Sequence, residues 1–312
     1  MNTSRFTDGK PNLVVLHPSG TVRSYPFTVP HWRESYFDFF KTASAHFSVY
    51  YVRGAERHIG NGNFSGGYHY QTGTLVGHHG PIAARVVYNK NRLRSNGGRD
   101  WAVVNPWKLY QLTYDKYGTY RAFHRYMKPT YRVLNKKQLR AAIAKVATDQ
   151  IVYKPLHGTG GTGVIIGSAE KIRRTVKEFP GLIQTFVDTT GGIPGLYRGR
   201  HDLRVTVMDG TIVQSFIRIP PAHLMVANVA QGARARQVPL ARIPRRAKQL
   251  VHSIDNRLKR YGNRIYAVDM GFERGKPYIF EINPEPGLPY KHWCMHYREF
   301  HHGLIKTFIN AV

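Results

Sequence analysis

The segment YAVDMGFERGKPYIFEINPEPGL (266–288) reads as two short strands joined by a turn at Glu273 to Lys276, and it constrains the chain more than any other stretch. Side chains alternate between the two faces of a strand, so Glu281 and Asn283, two residues apart, share one face. The chain has only 18 Asp and Glu in 312 residues, yet Asp269, Glu273, Glu281 and Glu285 all fall in this hairpin. Oxygen donors concentrated in an acid-poor chain suit a hard cation. Mg²⁺ takes one or two carboxylates together with substrate phosphates, which makes Asp269, Glu281 and Asn283 its candidate ligands. The plainer reading is a hairpin with solvated charges, and the hairpin alone does not choose between them.

The length allows two or three lobes with a substantial core. A hydrophobic content of 42% with 21% charged residues excludes a disordered basic tail. Lys and Arg number 46, giving a net charge of +28 spread along the whole chain. Such a field attracts polyanions, whether nucleic acid, an anionic membrane surface or phosphorylated substrates, and by itself names no partner. RIPRRAK (242–248) could meet nucleic acid, but no aromatic residues interleave with it as a stacking surface requires, so nucleic acid is a partner that charge permits and no motif supports. The single cysteine, Cys294, excludes an intramolecular disulfide framework and points to a reducing compartment. His292 and His296 have helical i, i+4 spacing, but Cys294 between them points elsewhere, and a zinc site is not expected there or at His78 and His79. Without a leader or an uncharged apolar run near ~20 residues, the expectation is a soluble cytoplasmic protein.

NLVVLHP (12–18) and FSVYYVRG (47–54) read as strands flanking an aromatic-rich helix (31–45), a βαβ-like opening. Residues 54–100, rich in Gly, His and Asn, read as loop with one strand, AARVVYN. Asn105-Pro106 closes the strand WAVVN and opens one helix from Lys108 through Phe123 to about Met127. Then follow strands at 130–135, 151–155, 164–167 and 181–187, with helices at 136–147 and 168–178. DLRVTVMDGTIVQSFIRIP (202–220) is a hairpin closed by Asp209-Gly210, 241–262 is a helix with a basic outer face, and 298–311 is a C-terminal helix.

Lys154 ends an apolar strand and precedes Gly158, Thr159, Gly160, Gly161 and Gly163. Glycines let a loop present successive N–H groups to phosphate oxygens, and a lysine at the strand end adds a point charge. The lysine precedes the glycines, so this is not a Walker loop, and no helix follows at once, so it is not a dinucleotide fingerprint. A hairpin loop without ligand remains the alternative. Gln184, Thr185, Phe186 and Val187 end a strand whose backbone could pair with an adenine edge, and Asp188 could reach a ribose hydroxyl; the same residues also read as a core strand. Arg204 shares a strand face with Asp202, and Arg218 shares one with Gln214 on the return strand. Converging arginines fit phosphoryl or carboxylate groups. Cross-strand pairing of Asp202 with an arginine accounts for them equally well.

The ordered set DKY (115–117), YKPLHGTGGTGV (153–164), LIQTFV (182–187), DLRV (202–205), SFIRIP and NVAQGA (215–220, 228–233), VDMGF and FEINPEPGL (268–272, 280–288) resembles the ATP-grasp superfamily. Within it the set is most similar to carboxylate–amine ligases of the ribosomal-protein glutamate-ligase type and to spore-coat-associated YheC/YheD-like proteins. The likeness covers roughly residues 105–290. It implies that Lys116 and Lys154 contact nucleotide phosphates, that the 158–163 loop folds over them as a lid, and that Gln184 to Val187 form the adenine hinge. It also implies that Asp269, Glu281 and Asn283 hold Mg²⁺, or Mn²⁺ in its place, and that Arg204, Arg218 and Asn228 serve the transferring phosphoryl group. Many relatives place a glutamate early in the hinge, where this chain has Thr185. The tail YKHWCMHYREFHH matches nothing in the family pattern.

The expected fold class is therefore α+β: an ATP-grasp fold with an N-terminal α/β domain (1–104), a small lobe with the glycine-rich loop (105–187) and a C-terminal lobe with the Mg²⁺ site (188–312). The resemblance implies an enzyme that uses ATP and Mg²⁺ to join a small carboxylate or acidic peptide to an amine through an acyl phosphate. An ATP-grasp kinase acting on a polyol or a phosphorylated metabolite, and a non-catalytic nucleotide- or nucleic-acid-binding protein, are the rival readings. Acceptor recognition is expected in residues 54–100 and 188–201.

Overall fold

A computed structural model describes residues 9–146, 148–157, 161–222, 224, 225 and 232–312. The N-terminal sheet has the order β6-β5-β2-β1-β8-β9. Its strands are β1 (Asn12–His17), β2 (Ser48–Arg53), β5 (Gly67–Gln71), β6 (Thr74–His78), β8 (Val86–Asn89) and β9 (Ala102–Val104). β1, β2, β8 and β9 pair in parallel, while β5 and β6 add an antiparallel hairpin at one edge. β1 is buried along its whole length, as an unbroken apolar run in a sheet covered on both faces should be. One face packs on α1 (Pro30–Ala43), which starts on a proline at its first turn and buries Tyr36, Phe39 and Phe40. Complete burial of each phenylalanine contributes about 1.5–3 kcal/mol. The other face meets a small sheet of β3 (His58–Gly60), β4 (Asn63–Phe64) and β7 (Ile82–Ala83). Residues 54–100 thus hold five short strands beyond β8, where sequence suggested loop; strands of two to five residues rich in glycine carry too little periodicity to announce themselves.

The segment expected as one helix from Lys108 is two, α2 (Trp107–Tyr114) and α3 (Lys116–Phe123). Asp115 breaks it: its backbone is extended and its side chain accepts from the Tyr117 N–H, capping α3. The middle sheet, β10-β13-β11-β12, is antiparallel and consists of β10 (Thr130–Val133), β11 (Ile151–Pro155), β12 (Ile165–Gly167) and β13 (Gly181–Thr185), backed by α4 (Lys136–Ala144) and α5 (Ala169–Thr175). The third sheet has the order β16-β15-β14-β17-β18, from β14 (Asp202–Met208), β15 (Thr211–Ile219), β16 (Arg234–Gln237), β17 (Ile265–Glu273) and β18 (Lys276–Asn283). Both of its hairpins turn through two residues with positive φ, Asp209-Gly210 and Arg274-Gly275, the geometry that matches strand twist. β16 went unseen in the sequence because RARQ has no apolar face to bury.

The lobes share cores across the expected boundaries. Leu109 and Phe123 pack with α6 (Arg245–Leu258) on the third sheet, not with the middle one. Helix α7 (Tyr297–Ile309) buries Phe300, Leu304 and Phe308 against α1 and the N-terminal sheet. Asn105 ties the first and third sheets: its amide donates to the Ile265 and Pro284 carbonyls and accepts from the Ile265 N–H.

Candidate functional site

Period-two alternation builds the site. On the third sheet Leu203, Val205, Ile217, Val268, Met270 and Ile282 face the α6 core. The alternate residues Asp202, Arg204, Arg218, Asp269, Glu281 and Asn283 line a cleft of about 290 Å³ closed on its other side by the middle sheet. A β-bulge sharpens the arrangement. Asp269 pairs with Glu281 and Met270 with Ile279, which leaves Phe280 as the extra residue on β18 and lets Phe280 and Glu281 both reach the cleft.

The middle sheet brings Lys154 from β11 and Gln184, Thr185, Phe186 and Val187 from the end of β13, while Lys116 enters from the start of α3. Val152, Val164, Ile166 and Phe280 make an apolar slot beside them. Sequence reasoning named none of these four. Their signal was present, since Val152 lies two residues from Lys154 and Val164 two from Ile166. Gly161 lines the cleft and Gly163, with φ +73°, turns behind Pro155. Gly158, Thr159, Gly160 and Asn228 lie outside the described residues.

Two hinge residues are otherwise engaged. The Gln184 amide donates to Thr130 Oγ1 at 2.8 Å, and the Thr185 N–H donates to the Pro129 carbonyl. Phe186 and Val187 lie beyond the last ladder pair, Ile151 with Thr185. Asp188 is outside the cleft: its carboxylate accepts from the N–H and hydroxyl of Thr190, which holds it below the usual carboxylate range. Its own N–H donates to Glu273, which also pairs with Lys128. Gln214, expected on the arginine face, donates instead to Cys294 Sγ.

The carboxylates and arginines form one network. Arg204 donates from Nε and Nη2 to the two oxygens of Asp269, each at 2.6 Å. Arg218 Nη2 bridges Asp269 Oδ2, at 2.7 Å, and Asp202 Oδ2. Both readings of Asp202 therefore hold, because it salt-bridges across the strands and lies in the cleft. Burial pushes Asp202 up to about 7 against the pull of Arg218, while burial of Asp269 is outweighed by Arg204 and Arg218, which hold it at about 2. Burial raises Glu281, helped by the charge of Asp269 and opposed by Lys116 and Lys154. Burial also brings Lys154 down to about 8, with Glu281 the main opposing influence, and lowers Lys116. Among the described residues Lys116, Lys154, Arg200, Arg204 and Arg218 face three carboxylates, leaving the cleft cationic.

The oxygen donors fit Mg²⁺ in kind, as two carboxylates and an amide. Asp269 has both oxygens engaged by guanidinium and Asn283 Oδ1 accepts from the Glu285 N–H, so a cation there would share their remaining lone pairs. No group of three or more His, Cys, Asp or Glu able to hold a metal occurs among the described residues, which leaves the histidine-rich tail without a zinc site there. No helix among them is long and apolar enough to cross a membrane.

The family model of the prokaryotic glutathione synthetase ATP-grasp domain matches residues 116–283, the span that contributes every cleft residue named above. A probable alpha-L-glutamate ligase of Rhodopirellula baltica is 27% identical over 166 residues, 50% of this chain and 36% of that protein. The chain spans less than half the length of the curated relatives it matches. Among solved structures, D-alanyl-alanine synthetase A from Vibrio cholerae superposes with a TM-score of 0.61 at 13% identity, covering 97% of this chain and 98% of its own. An ATP-grasp RimK domain protein from Sphaerobacter thermophilus gives 0.60 at 15% identity, with 95% and 99% covered.

Proposed function

Since the chain belongs to the ATP-grasp family represented by the prokaryotic glutathione synthetase domain, we propose that it is an ATP- and Mg²⁺-dependent ligase joining a carboxylate to an amine. The observation that carries this reading is one cationic cleft in which an apolar slot, two lysines, two arginines and the oxygen donors of the β17–β18 hairpin meet.

Adenine fits the slot of Val152, Val164, Ile166 and Phe280, its edge against the backbone of Phe186 and Val187, which the β-ladder leaves unused. Lys116 and Lys154 take the phosphates as point charges, with the 158–163 loop above them. Mg²⁺ or Mn²⁺, held by Asp269, Glu281 and Asn283, supplies neutralisation of phosphate charge. A carboxylate oxygen attacks the γ-phosphorus, the bond to the β-phosphate oxygen breaks, and ADP leaves the acyl phosphate behind. The amine then attacks the acyl carbon, loses a proton and expels phosphate to leave an amide. No side-chain nucleophile is required. Arg204 and Arg218, with Asn228, stabilise charge on the phosphoryl group in transfer, and their fixed positions on a sheet mean little reorganisation at that moment. The relatives' name makes L-glutamate the first amine or acid to try. A small carboxylate or acidic peptide is the acid class that a +28 chain attracts.

Mass spectrometry of reactions with Mg-ATP, pooled carboxylates and acidic peptides, and hydroxylamine as surrogate amine tests the reading. A Mg²⁺-dependent hydroxamate formed with ADP is the expected product. A phosphorylated acceptor without hydroxamate would replace ligase by kinase.

A further inference from the structure

A second cavity, of about 390 Å³, opens at the carboxyl ends of the parallel strands of the N-terminal sheet. β1 ends at His17, β2 ends at Arg53 and β8 runs into Lys90, and all three side chains line it. β1 lies between β2 and β8, so the chain leaves it in opposite directions on its two sides. Ligands of open α/β sheets bind outside the strand ends at such a switch point. From the far end of the chain Glu285 and Gly287 complete the wall.

Its chemistry is unbalanced. Arg53 and Lys90 are 7% and 8% exposed, and a buried cation is costly unless an anion answers it. Arg53 donates only to neutral oxygens, those of Tyr25, Tyr51, Ser19 and Ser24, and its Nε–H has no partner. Lys90 donates to the Pro286 carbonyl at 3.1 Å and lies 5.0 Å from the centre of the Tyr88 ring. Among the described residues no carboxylate lies within ion-pair distance of either cation. Glu285 is the one acid on the wall, and its Oε1 is buried without a hydrogen-bond partner. The cavity therefore offers an orphaned donor on a cation and an orphaned acceptor on a carboxyl group.

We propose that this cavity binds a free α-amino acid, its carboxylate on Arg53 and Lys90 and its amino group on Glu285. In the ligase reading, on which this assignment of role rests, the bound molecule is the amine substrate. Glu285 joins the two sites, since its N–H donates at 2.8 Å to Asn283 Oδ1, and Asn283 lines the nucleotide cleft. The amino group is thus held at the end of the strand that carries the cleft's oxygen donors. This places acceptor recognition at the sheet's switch point, away from the loops 54–100 and 188–201 that sequence suggested.

Calorimetric titration with each proteinogenic amino acid, singly and without nucleotide, tests the site directly. At least one is expected to bind the wild-type protein, and Lys90→Met and Glu285→Gln are each expected to weaken it about tenfold or more, the scale of a lost charge-assisted hydrogen bond. The methyl ester and the N-acetyl form of that amino acid should weaken similarly, with Mg-ATP affinity unchanged in both variants. Absence of binding by every amino acid, or binding indifferent to both substitutions, overturns the proposal. Succinate bound as tightly as the best amino acid overturns the role given to Glu285. An amino acid bound here by a protein that never forms a hydroxamate keeps the site and removes the ligase reading. Hydroxamate formation with wild-type amino-acid KM in both variants does the reverse.

Discussion

Arg204 and Asp269 stand opposite each other on β14 and β17, and the guanidinium grips both carboxylate oxygens at 2.6 Å. The grip fixes the orientation of a buried acid that Arg204 and Arg218 keep ionised down to about pH 2. A lysine cannot reproduce a two-point contact. Arg204→Lys is expected to lower kcat for ATP turnover by about 10²-fold or more, the cost of removing one preorganised donor, with ATP binding close to wild type. ADP release in a coupled assay measures this, and an unchanged kcat would reduce Arg204 to a cross-strand tie.

Glu281 and Asn283 differ from Asp269 in having no guanidinium clasp recorded on them, so they are the donors most open to a cation. Removal of an outer-shell partner alone weakens metal sites about 10–100-fold. Glu281→Gln and Asn283→Ala should each raise the Mg²⁺ concentration needed for half-maximal ATP turnover by at least that factor. A Mg²⁺ titration that overlays the wild-type curve would dismiss the metal assignment.

Lys154 gives the nucleotide cleft its pH dependence. Burial sets its ammonium at about 8 in the folded protein, below the ordinary lysine value of 10.5. Between those values the unfolded chain binds the extra proton, so this group's contribution to stability rises with pH through the window and is lost as pH falls through about 8. Phosphate has the opposite preference and favours the charged form, so ATP binding near pH 8 should take up a fraction of a proton. Calorimetry in buffers of differing ionisation enthalpy reads that uptake, and Lys154→Met should abolish it.

How much of this was legible follows from which forces act locally. The third sheet was readable because alternation separates Leu203 and Val205 from Asp202 and Arg204, and because Asp209-Gly210 and Arg274-Gly275 are turn pairs in their own right. Lys154 and the hairpin acids were readable as unusual residue types at regular spacing. The fate of Asp188 was not, since a carboxylate chooses between a distant ligand and Thr190 through loop geometry alone. Nor was the packing of α7 on α1, which depends on complementarity between Phe308 and Phe39, far apart in the chain. The Arg53 and Lys90 cavity was invisible for the same reason, because three strand ends become neighbours only through sheet order.

Behind the catalytic sheet, Asp255 on α6 accepts from Nε and Nη2 of Arg264, at 2.8 and 2.6 Å, and from the Tyr266 hydroxyl at 2.9 Å. This locks α6 to the start of β17, the strand that carries Asp269. Asp255→Ala leaves a guanidinium that is buried and without its main partner, a change that costs about 3–5 kcal/mol. Urea unfolding should show that loss as a lower midpoint. Asp255→Ala combined with Arg264→Met removes both charges at once, so the pair should lose less than the sum of the single losses. Strict additivity in that cycle would mean that the two residues act independently, and that α6 is held to the sheet by Leu250, Val251 and Ile254 alone.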